Sequence, residues 1–314
     1  MPAPAPIKEA VVQVSPLLWR LGSKVECKKI TEPEQSSLAT WKDGDSWYML
    51  QTASSEQPPS IPAPSSNDCR LIHEGGTLSA VWAIGNDAFC KVKKWDFETS
   101  SESDAIEFVR KHAPQVPVPE VIYTWMDKDQ SFLVLKRVPG VTLRDAWQTL
   151  SANQQDSILN EVVHLCDILA SVTSPLLQNV QGGSVLEPYL AHSGEQTLEP
   201  LTVSDCKKYF CRAELDTNPD IGEEFYLYHP DLGPGNIMIL DQKISAIIDW
   251  ESAGFYPRFW ISTKPSVSPG HNFYPPVPGV EDHEWRRRLR GRLEEQGYPY
   301  FDEWYMKWMR IPRG

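Results

Sequence analysis

The sequence has no hydrophobic run long enough to cross a membrane and no closely paired cysteines. A transmembrane helix needs about 20 consecutive apolar residues, and no stretch of the 314-residue chain approaches that length. The six cysteines form no C-x-x-C pair, and the start MPAPAPIKEA lacks the apolar core of a signal peptide. We therefore expect a cytoplasmic protein with free thiols and no membrane partner.

Positive charge is also scarce. The chain carries 30 Lys and Arg against 42 Asp and Glu, which gives a formal net charge of −12. Nucleic-acid phosphates attract basic surfaces, so this balance argues against a nucleic-acid partner. Much of the acidic excess lies beyond Ser151, notably in residues 195–224. A solvated acidic surface explains this excess, and so does a site for a cationic substrate.

The first seventy residues read as an N-terminal extension without a regular pattern. Within them, only DSWYMLQTAS has the apolar and aromatic residues of a strand or packed arm. The run SSEQPPSIPAPSSND, which ends at Asp68, is rich in Pro and Ser and predicts a linker. We therefore divide the chain into an extension with its linker at 1–70, a small lobe at 71–138 and a large lobe at 139–314.

Beyond the linker, apolar alternation predicts a small antiparallel sheet. RLIHEGG, TLSAVWAI and AFCKVKKW read as three strands, and EVIYTW and SFLVLKRV read as two more. The helix SESDAIEFVRKHA is expected between the third and fourth strands, ending before the prolines of VPVP. The chain then reads as mostly helical up to Asp220, and it ends in the amphipathic segments EDHEWRRRLRGRLEEQG and FDEWYMKWMR. This pattern predicts an α+β protein with a larger, mostly helical C-terminal part.

The residues that point to a reaction lie in FYLYHPDLGPGNIMILDQKISAIIDWESAG. This stretch orders His229, Asp231, Asn236 and Asp249 as H-x-D-x-x-x-x-N followed by an aspartate at a strand end, which is a phosphoryl-transfer pattern. Such chemistry needs carboxylate and amide oxygens to hold Mg²⁺ and a carboxylate beside the attacking hydroxyl. Asp231 suits the base, within a catalytic motif that includes His229, whereas Asn236 and Asp249 suit the metal. The hairpin of IMIL and ISAIID is expected to bring the two metal ligands to one end.

These motifs resemble the aminoglycoside phosphotransferase and choline-kinase-like family, whose members combine H-x-D-x-x-x-x-N with I-D-W-E. The similarity extends from about Leu71 to Pro265. It implies a protein-kinase-like two-lobed fold that uses ATP, or GTP, together with Mg²⁺. The small lobe would then hold the nucleotide.

The resemblance assigns an ion pair to that lobe. AFCK is similar to the family's third-strand lysine motif, which makes Lys91 the residue that contacts the α- and β-phosphates. Glu102, on the following helix, aligns as its acidic partner. Alternatives stay open at both positions: Lys93 and Lys94 for the lysine, and Asp104 and Glu107 for the acid.

The resemblance also implies backbone contacts with the nucleotide. HEGGTLSAV occupies the position of the phosphate-covering loop, where Gly75, Gly76 and Thr77 would bring N–H groups to the phosphates. The segment departs from G-x-G-x-x-G. FLVLKRVPG resembles the segment that links the lobes, and the main chain of Lys136 and Val138 is expected to bond the adenine edge.

Three functional classes fit this fold. A protein kinase carries arginine before the catalytic aspartate and F-G after the metal aspartate, whereas this chain has Pro230 and then Trp250 and Glu251. A non-catalytic nucleotide-binding or scaffold protein would normally have lost a base or a metal ligand, and none is missing. We therefore expect a small-molecule kinase. An amine-bearing or aromatic alcohol would suit an acidic, Trp- and Tyr-rich large lobe.

Overall fold

The computed structural model describes residues 7–34, 36–54, 68–95, 100–191, 195–211 and 218–311. The chain forms two compact units, the first comprising Met1–Asp96 and Pro119–Arg137 and the second Phe97–Val118 and Val138–Gly314. The chain crosses from the first unit to the second for the last time between Arg137 and Val138, in the segment predicted to link the lobes. The predicted linker spans residues 54–68, and its residues 55–67 lie outside the described part of the chain.

A five-stranded antiparallel sheet occupies the region predicted to be largely irregular. The only strand expected there, in DSWYMLQTAS, is present, but four others precede it because short runs such as LWRL gain stability only by burying a face against another layer. Its order is β1-β2-β3-β5-β4. The strands are β1 Val11–Ser15, β2 Leu18–Leu21, β3 Val25–Ile30, β4 Ala39–Asp43 and β5 Ser46–Thr52.

The second sheet of the first unit confirms the five strands predicted for the small lobe. Its order is β6-β7-β8-β10-β9, all antiparallel. Gly85 has a φ of 60° in the tight turn between β7 and β8, a conformation that glycine adopts without steric cost. The strands are β6 Cys69–Gly75, β7 Ser79–Ile84, β8 Ala88–Lys94, β9 Val121–Asp127 and β10 Gln130–Lys136.

The two sheets of the first unit share one hydrophobic core. Trp19 and Tyr48 from the first sheet and Trp82 and Phe132 from the second belong to the same buried cluster. Polar contacts also join the sheets, since the carboxylate of Asp43 accepts the N–H of Asn86 at 2.6 Å. The described residues within 7–54 therefore belong to the same compact unit as the five strands predicted for the nucleotide lobe. Residues 97–118 of the predicted lobe, which contain the helix after the third strand, fall in the second unit instead.

Seven helices are described in the second unit. Helix α1 begins in a capping box, in which Ser101 Oγ accepts the Asp104 N–H and the Asp104 carboxylate accepts the Ser101 N–H. Helix α3 buries the predicted stripe of Ile158, Val162, Leu165 and Leu169. The helices are α1 Glu102–His112, α2 Leu143–Ala146, α3 Ala152–Ala170, α4 Val203–Phe210, α5 Arg258–Val267, α6 Glu284–Glu295 and α7 Asp302–Trp308.

Short strands lie between Thr173 and Thr202, in the part of the chain that was predicted to be mostly helical up to Asp220. They are two to four residues long, too short for any periodicity to identify from sequence. The second unit contains sheets of order β11-β18-β19, β12-β17-β20-β13-β16 and β14-β15. Its strands are β11 Val141–Thr142, β12 Thr173–Ser174, β13 Leu176–Asn179, β14 Val185–Leu186, β15 Thr197–Leu198, β16 Leu201–Thr202, β17 Phe225–Tyr228, β18 Ile237–Leu240, β19 Lys243–Ile247 and β20 Gly254–Tyr256.

These two units confirm the predicted α+β class, with antiparallel sheets first and helices mainly in the second unit. Among the described residues, no helix has both the length and the apolar character needed to cross a bilayer. All six cysteines are free thiols.

Candidate active site

The predicted base and one predicted metal ligand are in direct contact in the loop between β17 and β18. Asn236 Nδ2 donates to the Asp231 carboxylate oxygen Oδ2 at 2.8 Å and to the Asp231 carbonyl at 2.9 Å. Both side chains are half-buried. The first bond holds the Oδ2 end of the Asp231 carboxylate, and the second ties Asn236 to the backbone of Asp231. Neither bond uses Asp231 Oδ1 or the Asn236 amide oxygen.

The β18–β19 hairpin brings Asn236 and Asp249 to the same end, as predicted. Ile237 pairs with Ile247, and the N–H of Ile248 donates to the Asn236 carbonyl at 2.9 Å. Asp249 then adopts the left-handed conformation, with φ 68° and ψ 57°. Such a backbone is uncommon outside glycine and is often found at functional sites.

The turn that closes this hairpin is a two-residue connection. Asp241 and Gln242 have φ values of 49° and 65°. Positive φ at both central positions is what a type I′ turn requires, and that turn matches the twist of the flanking strands. The turn thereby sets the register that brings Asn236 and Asp249 together at the opposite end of the hairpin.

His229 connects the loop between β17 and β18, which is the predicted catalytic loop, to Ile248, the residue between β19 and Asp249. Its Nδ1 accepts the N–H of Asp231 at 3.2 Å, so the neutral ring carries its hydrogen on Nε2, which donates to the Ile248 carbonyl at 3.1 Å. Complete burial lowers the pKa of His229 more than the nearby carboxylates of Asp231 and Asp249 raise it. The geometry of this neutral ring is that of a group that positions Asp231.

Two buried tryptophans complete the support of this loop, and neither role was predicted from sequence. Trp250 packs edge-on against His229 with 4.6 Å between ring centroids, and its Nε1 donates to the Ile247 carbonyl at 2.7 Å. Trp285 Nε1, on α6, donates to the Leu232 carbonyl at 2.9 Å. The I-D-W-E motif contained a signal for the first tryptophan, whereas no local pattern linked Trp285 to the loop.

Two further carboxylates lie beside that of Asp249. Ligand oxygens of Glu102, Asp249 and Glu251 lie within 4.8 Å of one another. Of the alternatives to Glu102, Asp104 belongs to the capping box and Glu107 pairs with Arg110 at 2.5 Å. Sequence reasoning gave Glu251 no role, although it follows in the same motif. Convergent carboxylate oxygens are the donor set that suits Mg²⁺.

Lys91 lies in the middle of β8. It is half-buried, opposite Val81 on β7 and Leu133 on β10. Lys93 lies on the same face of the strand, two residues further on, whereas Lys94 is exposed at the strand end. Strand position thus excludes neither Lys91 nor Lys93 as the lysine that contacts the phosphates. The choice of Lys91 rests on its place in the AFCK motif.

The glycines of the predicted phosphate-covering loop lie at the β6–β7 turn. Gly75 ends β6, and Gly76, with a φ of 60°, begins the turn that contains Thr77. A Cβ on Gly75 would overlap the Ser79 hydroxyl oxygen. The turn is therefore tight. Because Gly75 and Gly76 have no side chains, neither covers the backbone of the turn.

The predicted adenine-binding segment runs from β10 into the second unit. The N–H of Lys136 donates to the Glu120 carbonyl at 2.9 Å, and the N–H of Arg137 donates to the Asp87 carbonyl at 2.7 Å. The Lys136 ammonium lies 3.5 Å from the Glu120 carboxylate. Any adenine bond from Lys136 would therefore use its carbonyl. Val138 is the first residue of the second unit after this passage.

The C-terminal tryptophans are core residues. Trp304, Tyr305 and Trp308 on α7 are at most 3% exposed and pack against one another. Trp304 and Trp308 also contact Phe210. Because these rings are buried, they are not available for cation–π contacts with an amine-bearing acceptor.

Comparison with known protein families gives one match that spans these residues. The model of the APH phosphotransferase enzyme family matches residues 95–260. No curated protein matches the chain significantly.

Several solved aminoglycoside phosphotransferases are similar in structure. A thermostable mutant of APH(4)-Ia in ternary complex with AMP-PNP and hygromycin B has 19% identity and a TM-score of 0.48, over 77% of this chain and 83% of that chain. ADP-bound APH(2'')-Ib has 13% identity and a TM-score of 0.48, over 78% and 82%. APH(3'')-Id from Streptomyces rimosus has 12% identity and a TM-score of 0.45, over 77% and 92%.

The matched family region contains α1, the catalytic loop and the hairpin that ends at Asp249, and it covers more than half of the chain. The chain therefore belongs to the APH phosphotransferase enzyme family, with its protein-kinase-like α+β fold.

Proposed function

We propose that the protein transfers the γ-phosphate of ATP to a hydroxyl group of a small molecule. The observation that carries this proposal is the bond between Asn236 and the Asp231 carboxylate at the end of the hairpin that also presents Asp249. A candidate base and candidate metal ligands thereby lie in one loop and the hairpin that follows it. Phosphoryl transfer depends mainly on such positioning and on electrostatic stabilisation.

Asp231 acts as the base in this proposal. Its carboxylate accepts the proton of the acceptor hydroxyl as the hydroxyl oxygen bonds to the γ-phosphorus. His229 holds the backbone of Asp231 and stays neutral. This division assigns His229 a positioning role within the predicted catalytic pair.

Asn236 and Asp249 would hold Mg²⁺, with Glu251 as a further oxygen donor nearby. The bound ion would offset the negative charge of the phosphates. In the first unit we retain the nucleotide contacts that the family resemblance implies. These are the side chain of Lys91, the backbone of Gly75, Gly76 and Thr77, and the carbonyl of Lys136.

A small-molecule acceptor is favoured over a protein. The described residues between Asp249 and α5 form a single 3₁₀ turn, Trp250–Ser252, and the short strand β20, which leaves no long activation segment. Pro230 stands where a protein kinase has arginine. The acids of residues 195–224 support an amine-bearing acceptor. Six free thiols support a reducing, cytoplasmic setting.

Nucleotide binding is the first test. With Mg·ATP at about 100–1,000 times its Kd, the fold should gain about 2.7–4 kcal/mol of stability, which a thermal-shift assay detects. Mg·GTP tests the alternative donor, and MgCl₂ alone is the control. The absence of any shift with either nucleotide, and with Mn²⁺ replacing Mg²⁺, would contradict the proposal.

Transfer is the second test. Purified full-length protein is incubated with Mg·ATP and a panel of choline, ethanolamine, simple sugars and aminoglycosides, and each acceptor is examined for the mass gain of one phosphoryl group. A phosphorylated acceptor supports the proposal. Nucleotide binding with neither acceptor phosphorylation nor phosphate release would instead favour the non-catalytic alternative.

A further inference from the structure

A segment outside the matched family region lies directly against Asp231. The 3₁₀ turn Pro269–His271 follows α5, and a Cβ placed on Gly270 would lie 2.8 Å from Asp231 Oδ1 and 3.8 Å from its Cγ. Oδ1 is the carboxylate oxygen that Asn236 does not bind. Gly270 therefore lies beside Asp231 Oδ1, the carboxylate oxygen that Asn236 does not bind.

The catalytic loop and this segment also touch through their backbones. A Cβ on Gly233, two residues after Asp231, would overlap the carbonyl oxygen of Gly270. The two segments thus approach each other so closely that no side chain larger than hydrogen fits at position 233. This contact sets the distance between Gly270 and the loop that carries Asp231.

The segment is held in place from both sides. The N–H of Ser268 donates to the Lys264 carbonyl at 3.0 Å, and the N–H of His271 donates to the Ser268 carbonyl at 3.2 Å. Phe273 packs against Trp147 with 5.3 Å between ring centroids. Ser268, His271 and Phe273 are buried. The Gly270 segment is therefore more tightly held than the half-buried Asp231 carboxylate, whose Oδ1 end is not bonded to Asn236.

We propose that Gly270 is a positioning residue for the acceptor-facing oxygen of Asp231, an inference that rests on the proposed phosphotransfer. Asn236 holds Oδ2, and Gly270 leaves the space that Oδ1 occupies beside the acceptor hydroxyl. In the reaction, Oδ1 takes the hydroxyl proton, the acceptor oxygen bonds to the γ-phosphorus, and the bond from that phosphorus to the ADP oxygen breaks, with its electron pair leaving on ADP. A methyl group at position 270 would displace the oxygen that receives the proton.

Gly270→Ala tests this role. Because only the end of a side chain has to shift, the melting temperature should stay within about 4 °C of the wild type, which corresponds to roughly 1 kcal/mol. The kcat for phosphate transfer should fall about 10- to 100-fold, the scale expected for a small misplacement of a reacting group. The Kd of Mg·ATP should not change. A much larger drop in melting temperature would mean that the segment had moved instead, and would overturn the proposal.

Two other glycines serve as comparisons. Gly291→Ala, on α6, places its Cβ in open space and should leave transfer unchanged. Gly233→Ala places its Cβ on a backbone carbonyl and should lower the melting temperature well beyond the Gly270→Ala value. These variants separate crowding of a carboxylate from general effects of adding a methyl group.

A double-mutant cycle with Asp231→Asn decides between positioning and a general structural effect. Phosphate release from γ-labelled Mg·ATP, with water as the acceptor, needs no identified substrate. Gly270→Ala should slow release in the wild-type background and have little further effect in the Asp231→Asn background. An equal fold-loss in both backgrounds, or no loss in the wild type, would overturn the role of Gly270 alone. A wild type that neither binds nucleotide nor releases phosphate would overturn the proposed function.

Discussion

At the residue scale, His229 shows why a motif alone does not define what a side chain does. The sequence places it beside Asp231 in a catalytic pattern. The pattern does not distinguish a histidine that transfers protons from one that positions Asp231. Its bonds to the Asp231 N–H and the Ile248 carbonyl use both ring nitrogens. A ring so engaged has no free nitrogen for a substrate. The distinction depends on hydrogen-bond partners, which the sequence does not contain.

A buried ion pair predicts a large effect from one substitution. Lys264 Nζ donates to both carboxylate oxygens of Glu187 at 2.6 and 2.7 Å, and Trp260 Nε1 donates to the same carboxylate at 3.2 Å. Both charged side chains are buried. Lys264→Met should destabilise the protein by about 3–5 kcal/mol because it leaves the buried carboxylate without its cation. Urea unfolding monitored by circular dichroism measures this loss.

The exposed pair of Lys208 with Asp205, 3.1 Å apart, provides the control. Lys208→Met should leave the unfolding midpoint nearly unchanged because an exposed pair is screened by solvent. Adding Glu187→Gln to Lys264→Met should recover part of the lost stability. If Lys264→Met and Lys208→Met unfolded at the same urea concentration, the buried pair would contribute no more to stability than the exposed one.

At the scale of elements, the N-terminal sheet is expected to contribute to the stability of the fold, although the sequence alone indicated an irregular extension. Trp19 on β2 is 2% exposed within the core shared by both sheets. Trp19→Ala should therefore cost about 3–5 kcal/mol, as for other buried aromatic side chains. Leu17→Ala, at a neighbouring position that is 51% exposed, is the matched control and should have little effect. Equal unfolding midpoints for the two variants would indicate a dispensable extension.

The two sheets of the first unit also show why one was predicted and the other was not. Strands β7, β8 and β10 have six or seven residues with clear apolar runs, and a glycine turn separates the first two. Strand β2 has four residues, and its stability comes from packing on the second sheet. Long-range burial of this kind leaves little local pattern.

At the scale of the whole molecule, the same contrast applies to the site. Asn236 and Asp249 flank one short hairpin, so hairpin geometry is enough to predict from sequence that they lie together. His229 and Asp231 precede Asn236 by only a few residues. The contacts of Trp285 with Leu232 and of Gly270 with Asp231 join segments distant in sequence. They depend on how helices pack around the loop, and no spacing rule predicts them.

The most direct test of the central claim compares phosphate transfer with nucleotide affinity in Asp231→Asn. Asparagine keeps the shape but not the basic carboxylate, so transfer should fall about 10²–10⁴-fold while the Kd of Mg·ATP stays unchanged. Asp249→Ala, measured in parallel, should weaken metal-dependent nucleotide binding as well as transfer, because it removes a proposed metal ligand. Near-wild-type transfer by Asp231→Asn would contradict the assignment of Asp231 as the base.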